Sequence, residues 1–260
     1  MKKIIILLFI TTLVGITSFA QTASKEEVKP ITFKGKIHFE RKQNVHKQLD
    51  ERAKGSNGNN EWIEMAKKQN PKYKTDQFEL FFTDQSSVYK PAPDGITESK
   101  MMMMNMPADR NIVYNDYANN KCIAEKKIFE KTYLVNDTFK NYSWKIKEEF
   151  RTIAGFNCRR AETIIMDSIY VIAFYSDAIL AEGGPEGFSG LPGMILGVVI
   201  PRLNLTYFAT KVDNYLPTEK ELVMPSKGDK KDYAQLNKKI KESVSQWGEF
   251  MNVILWYVNL

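Results

Sequence analysis

The sequence predicts a mainly β, α+β fold: an antiparallel meander that forms a curved sheet or open barrel, with a helical insertion and a C-terminal helix. Three observations predict it. Apolar and polar residues alternate with a period of two over about ten segments. Short turn sequences such as Asp94-Gly95, Ala154-Gly155 and Met166-Asp167 separate neighbouring segments, which implies antiparallel pairing. No regular strand–helix alternation supports a parallel sheet. A long twisted sheet curls, so an open barrel clasping a helix is the economical arrangement.

The elements follow in chain order. Residues 1–20 read as a signal peptide: Lys2 and Lys3, then the 13-residue apolar run Ile4 to Ile16, then small residues at Ser18 and Ala20. The run is shorter than the ~20 residues of a membrane-spanning helix. Cleavage near Ala20 leaves a chain expected to be periplasmic or secreted, and not membrane-spanning. Residues 21–30 are a polar leader, and 31–260 form a single β-rich domain. In 31–41, Phe33, Gly35, Ile37 and Phe39 share one face, while Lys34, Lys36, His38 and Glu40 share the other. Residues 44–76 form the helical insertion, with Asn60 as a cap and Asn70-Pro71 as a stop. Strands are predicted at 77–84, 87–91, 111–116, 121–129, 132–135, 143–153, 156–165, 168–176, 194–200 and 203–212. In 143–153, Trp144, Ile146 and Phe150 share a face with Glu148. A helix over 230–248, capped by Asp229, carries the apolar stripe Tyr233, Leu236, Ile240, Val244 and Trp247. Phe250 to Leu260 reads as a buried last strand or helix end.

Charge and composition narrow the function. The whole chain carries a formal charge of +6; without the signal it has 35 basic and 31 acidic side chains, a balance of +4. Spread over alternating-sign strands, that excess gives no nucleic-acid footprint. Two histidines, His38 and His46, and no paired Cys-x-x-Cys make a zinc site a poor fit. Gly187-Phe188-Ser189-Gly190 falls short of a hydrolase elbow: Leu191 stands where the second glycine belongs, and a strand follows instead of a helix.

Several residues carry open alternatives. Cys122 and Cys158, in an oxidising compartment, form either a disulfide or two separate buried thiols. Met101, Met102, Met103, Met104 and Met106 make a gap-filling strand or flap, an adaptable apolar contact surface, or a soft-ligand site for Cu(I), the one cofactor the sequence suggests. Glu148 would line a cavity or pair with Arg160 of the next strand.

The segment Gly190-Leu191-Pro192-Gly193-Met194-Ile195-Leu196 resembles the motif that names the GLPGLI family of exported Bacteroidetes proteins, with Met194 where the family name has leucine. Gly184-Pro185, Phe188, Trp144, Ile153-Ala154-Gly155-Phe156, Cys158, Ala161 and the aromatic-rich Val171 to Tyr175 fit the same resemblance, which covers residues 31–212. It implies export and an envelope role, in some members beside TonB-dependent outer-membrane receptors, and it carries over no catalytic residues. Gly190, Leu191, Pro192, Gly193 and Met194 form either a loop-to-strand corner or a ligand- or partner-binding loop. The leading expectation is a non-enzymatic envelope protein that binds an apolar ligand or a periplasmic or outer-membrane protein. Its sheet would present an apolar concave face, with this loop and the methionine flap at the rim. A Cu(I)-binding protein is the alternative, and an enzyme the third reading.

Overall fold

The computed structural model describes residues 33–55, 60–97 and 106–260; residues 1–32, where a signal peptide and leader are expected, and Met101–Met104 lie outside the described residues. A single 12-stranded sheet carries the fold. The first meander comprises β1 (Gly35–Asn44), β2 (Tyr73–Phe82), β3 (Ser86–Pro91), β4 (Ile112–Asp116), β5 (Lys121–Ile128) and β6 (Lys131–Thr138). The second comprises β7 (Lys145–Ile153), β8 (Phe156–Ile165), β9 (Ile169–Ser176), β10 (Met194–Ile200) and β11 (Leu205–Asp213). Neighbours within each meander pair antiparallel, and β1 joins the two by pairing with β2 on one side and β11 on the other. A short β12 (Asp229–Lys231) lies parallel to β6, the only parallel strand pair among the described residues. The sheet is open, with β12 and β7 at its ends.

The expected period of two sets the inner face. Ile37 and Phe39 are buried, as are Leu80 and Phe78 opposite them. Two boundaries differ from expectation. Phe33 is 55% exposed, so the first strand starts at Gly35. β2 begins at Tyr73, inside the stretch expected to be helical, so that Lys74 and Asp76 join the buried face. The insertion proper is α1 (Val45–Gly55) and α2 (Asn60–Gln69), which bury Val45, Leu49, Ile63 and Ala66 against each other in a small core of their own.

After β11 the chain crosses the outer face of the first meander. The Tyr215 ring lies 6.3 Å from Phe81, and Lys90 Nζ donates to the Glu221 carbonyl at 3.4 Å. The C-terminal helix starts later than expected: Asp229 lies in β12, and Asp232 caps α3 (Tyr233–Ser243). The Asp232 carboxylate accepts from the Gln235 amide at 2.7 Å, while the Gln235 side chain accepts from the Asp232 amide at 3.4 Å, a reciprocal capping box. A second helix, α4 (Phe250–Val258), buries Ile254, Tyr257 and Val258 in the main core.

One contact measures the curl of the sheet. The Glu186 carboxylate accepts from Asn111, just before β4, at 2.7 Å and from Tyr207 on β11 at 3.3 Å. Four strand spacings separate β11 from β4, which on a flat sheet is about 19 Å. A single side chain reaches both because the sheet is strongly concave.

Candidate functional site

Three adjacent strands build the base of the site. Ile37 and Phe39 point inward on β1, and the same phase brings Arg41 and Gln43 inward after them. Arg41 lies opposite Tyr207 of β11 and opposite Asp76 of β2. The register therefore sets Tyr207, Arg41 and Asp76 side by side. Arg41 and Asp76 are each 1% exposed. Arg41 Nη1 donates to Asp76 Oδ2 at 3.1 Å, and Lys74 Nζ lies 3.6 Å from the same oxygen and 3.3 Å from Asp109 Oδ2. The other Asp76 oxygen accepts from the Thr97 amide at 2.8 Å.

The loop between β9 and β10 adds the remaining carboxylate. It dips into the concave face as a 3-10 turn, Pro185–Gly187, which touches β3, β4 and β10. At its apex Glu186 is 4% exposed and adopts φ 55, a left-handed conformation uncommon outside glycine. The two ends of the loop are clamped together. The Ile195 amide donates to the Gly183 carbonyl at 2.8 Å, and the Met194 amide donates to the Ile179 carbonyl at 3.1 Å. Gly193, at φ 140, passes so close to the Ser176 carbonyl that a Cβ there would sit 2.3 Å from the oxygen. Trp144 Nε1 donates to the Ser189 carbonyl at 2.9 Å.

The electrostatics are those of a buried polar cluster. Burial opposes the charge on Arg41, but the acidic groups of Tyr207, Asp109, Asp76 and Glu186 outweigh it and raise the guanidinium further above its ordinary value. Burial lifts the Tyr89 and Tyr207 phenols well above theirs; Glu186 adds to this and Arg41 counters it. Tyr207, the register partner of Arg41, lies within hydrogen-bonding reach of the guanidinium, which also counters the rise of its phenol. Even so, Arg41 Nε and Nη2, the Tyr89 hydroxyl and the Oδ1 atoms of Asn111 and Asn115 have no protein partner in hydrogen-bonding geometry. Buried polar groups are normally satisfied, so these atoms are the part of the interior with hydrogen-bonding capacity to spare.

The residues expected from the sequence fall into three groups. In the GLPG segment, Leu191, Gly193 and Met194 are buried, while Gly190 and Pro192 are exposed. The segment closes the loop that carries Glu186. Of the clustered methionines, Met106 is 5% exposed in the main core, where it fills space as a packing residue; the other four lie outside the described residues. Among the described residues no cluster of His, Cys, Asp and Glu is placed to hold a metal. Cys122 on β5 and Cys158 on β8 are separate, buried free thiols rather than a bridge. Glu148 and Arg160 do not pair. Glu148 meets Arg159, and Arg160 meets Glu149 and Glu162, both at 2.5 Å. The Glu148 side chain is 84% exposed, and Phe150 and Ile146 beside it are 56% and 44% exposed. β7 is an edge strand, and its Glu148 side chain faces solvent.

The concave face is therefore polar at its centre and covered by the chain's own loop and α4, where an open apolar surface was expected. The sequence reading missed Arg41, Lys74, Asp76, Asp109, Glu186 and Tyr207. For Arg41 a signal existed, namely an arginine in phase with two apolar inward positions.

No protein-family model matches the chain, and no curated protein matches it by sequence. Among solved structures it resembles PNGF-II in two crystal forms. The C2 form gives a TM-score of 0.50 at 11% identity, over 86% of this chain and 32% of that one. The P21 form gives 0.49 at 14% identity, over 82% and 34%. The chain thus spans about a third of the length of PNGF-II, and the likeness at this identity is one of fold alone.

Proposed function

We propose that this chain is an exported cell-envelope protein that acts by binding, without catalysis, and that the interior cluster around Arg41 is its ligand site. One observation carries the reading. Arg41, Lys74, Asp76, Asp109 and Glu186, of both signs, are buried together in an otherwise apolar interior. Apolar residues of the same volume would serve stability as well or better, so the charges point to a role beyond packing. The two unpartnered donors of Arg41, Nε and Nη2, form one edge of the planar guanidinium, the fork that recognises a pair of oxygens. The resemblance to GLPGLI proteins supports export and a place beside an outer-membrane receptor, which would supply or receive the ligand.

The test is native mass spectrometry of the protein purified from the periplasmic fraction, beside the Arg41→Lys variant. That variant keeps the charge and loses the fork. A small molecule held by the wild type and lost from Arg41→Lys is the expected result. A ligand-free wild type whose melting temperature responds to a panel of small metabolites just as the variant's does would overturn the reading.

A further inference from the structure

We propose that the seat of Glu186 is a carboxylate-binding site occupied in cis: the loop presents its own carboxylate where an incoming carboxylate-bearing ligand would bind. This rests on the binding reading above and names the ligand class and its competitor. The seat is built of donors. Asn111 Nδ2 reaches Glu186 Oε2 at 2.7 Å, the Tyr207 hydroxyl reaches Oε1 at 3.3 Å, and the open fork of Arg41 and the open hydroxyl of Tyr89 lie in the same cluster.

Charge agrees with this chemistry. Burial opposes the charge on Arg41 and on Lys126, and the Glu186 carboxylate favours the charged form of both. The backbone agrees as well. Glutamate holds φ 55 at the apex of a turn, where glycine would be relaxed. The carboxylate is therefore what the position keeps, at the expense of local strain. Glu182, Gly190 and Pro192 of the same loop are exposed, so the segment that carries the carboxylate runs along the protein surface on either side of it.

The experiment replaces the cis carboxylate with a free one. Glu186→Gly removes the side chain and relaxes the turn. The variant is melted in increasing sodium formate, with sodium chloride at equal ionic strength as the control. The expected result is a melting temperature that rises and saturates with formate but not with chloride, in Glu186→Gly and not in the wild type, and that is lost in Glu186→Gly/Arg41→Lys. No formate-specific rise, or the same rise in the wild type, overturns the proposal. Should Glu186→Gly not fold, Glu186→Gln is measured by hydrogen exchange. Loss of the charge is expected to speed exchange over residues 183–189 by about tenfold or more, and unchanged exchange overturns the proposal. A wild-type ligand lost from Arg41→Lys, combined with failure of the formate test, would leave the binding reading standing with a neutral ligand.

Discussion

Arg41 and Asp76 show how much a single buried pair sets. Removing Arg41 leaves the buried Asp76 with only Lys74, at 3.6 Å, and the Thr97 amide, so Arg41→Met is expected to lower unfolding stability by up to about 3–5 kcal/mol. The double variant Arg41→Met/Asp76→Leu should recover most of that in urea denaturation; a double variant as weak as the single would show that the pair is not the source. The thiols give a second residue-scale prediction. Burial pushes Cys158 up to about 12 and raises Cys122 as well. Neither should react with alkylating reagents at pH 8 until the protein unfolds, and denaturant without reductant should then release both. Zero thiols under those conditions would mean a bridge. Between about pH 9 and 12 the unfolded Cys158 ionises while the folded one stays protonated. The unfolded state then holds fewer protons, and stability falls as pH rises. Cys158→Ala should be less sensitive to pH over that range in chemical denaturation. Arg41 was legible in the sequence, since it continues the phase of Ile37 and Phe39. Glu186 was not, because its burial comes from a loop reaching across four strand spacings and no local pattern encodes that reach.

At the scale of elements, the GLPG segment acts through its backbone. Gly193→Ala would force a Cβ against the Ser176 carbonyl at a backbone angle few other residues adopt, and is expected to cost more than about 2 kcal/mol. Thermal melting checks this; a shift within error would mean that the loop is not clamped there. α4 is tied in through Tyr257. Its hydroxyl accepts from Gln48 Nε2 at 2.5 Å and lies 3.3 Å from Gln43 Nε2 and from the Leu203 carbonyl. Tyr257→Phe should lower stability by about 1–3 kcal/mol, readable in the same melts. These contacts join α1, β1, α4 and the turn before β11, so the helical insertion and the C-terminal helix share one anchor. The presence of both helical regions was legible from apolar spacing. Their ends were not: β2 takes over at Tyr73, and the cap moves to Asp232 because Asp229 pairs with Tyr133 in a short parallel strand.

The whole molecule is two meanders joined along one seam. β1 and β11 lie at the middle of the sheet, whereas β7 has a neighbour on one side only and is exposed along most of its length. Hydrogen exchange should therefore be slowest in β1 and β11 and fastest in β7, and equal protection across the sheet would contradict the open topology. The period of two and the short turns made each meander legible, because neighbouring strands are neighbours in sequence. The seam was not, since it sets Lys36 beside Asp213 and no turn announces it. That seam dictates an order of assembly. A chain synthesised amino end first delivers β1 early, and its second partner only after nine further strands. Until Leu205–Asp213 arrives, one edge of β1 stands open, able to pair with any passing strand. The sheet cannot close until that strand is made, a long-range closure that is intrinsically slow. The seam that holds the two meanders together is thus also the edge left longest without a partner.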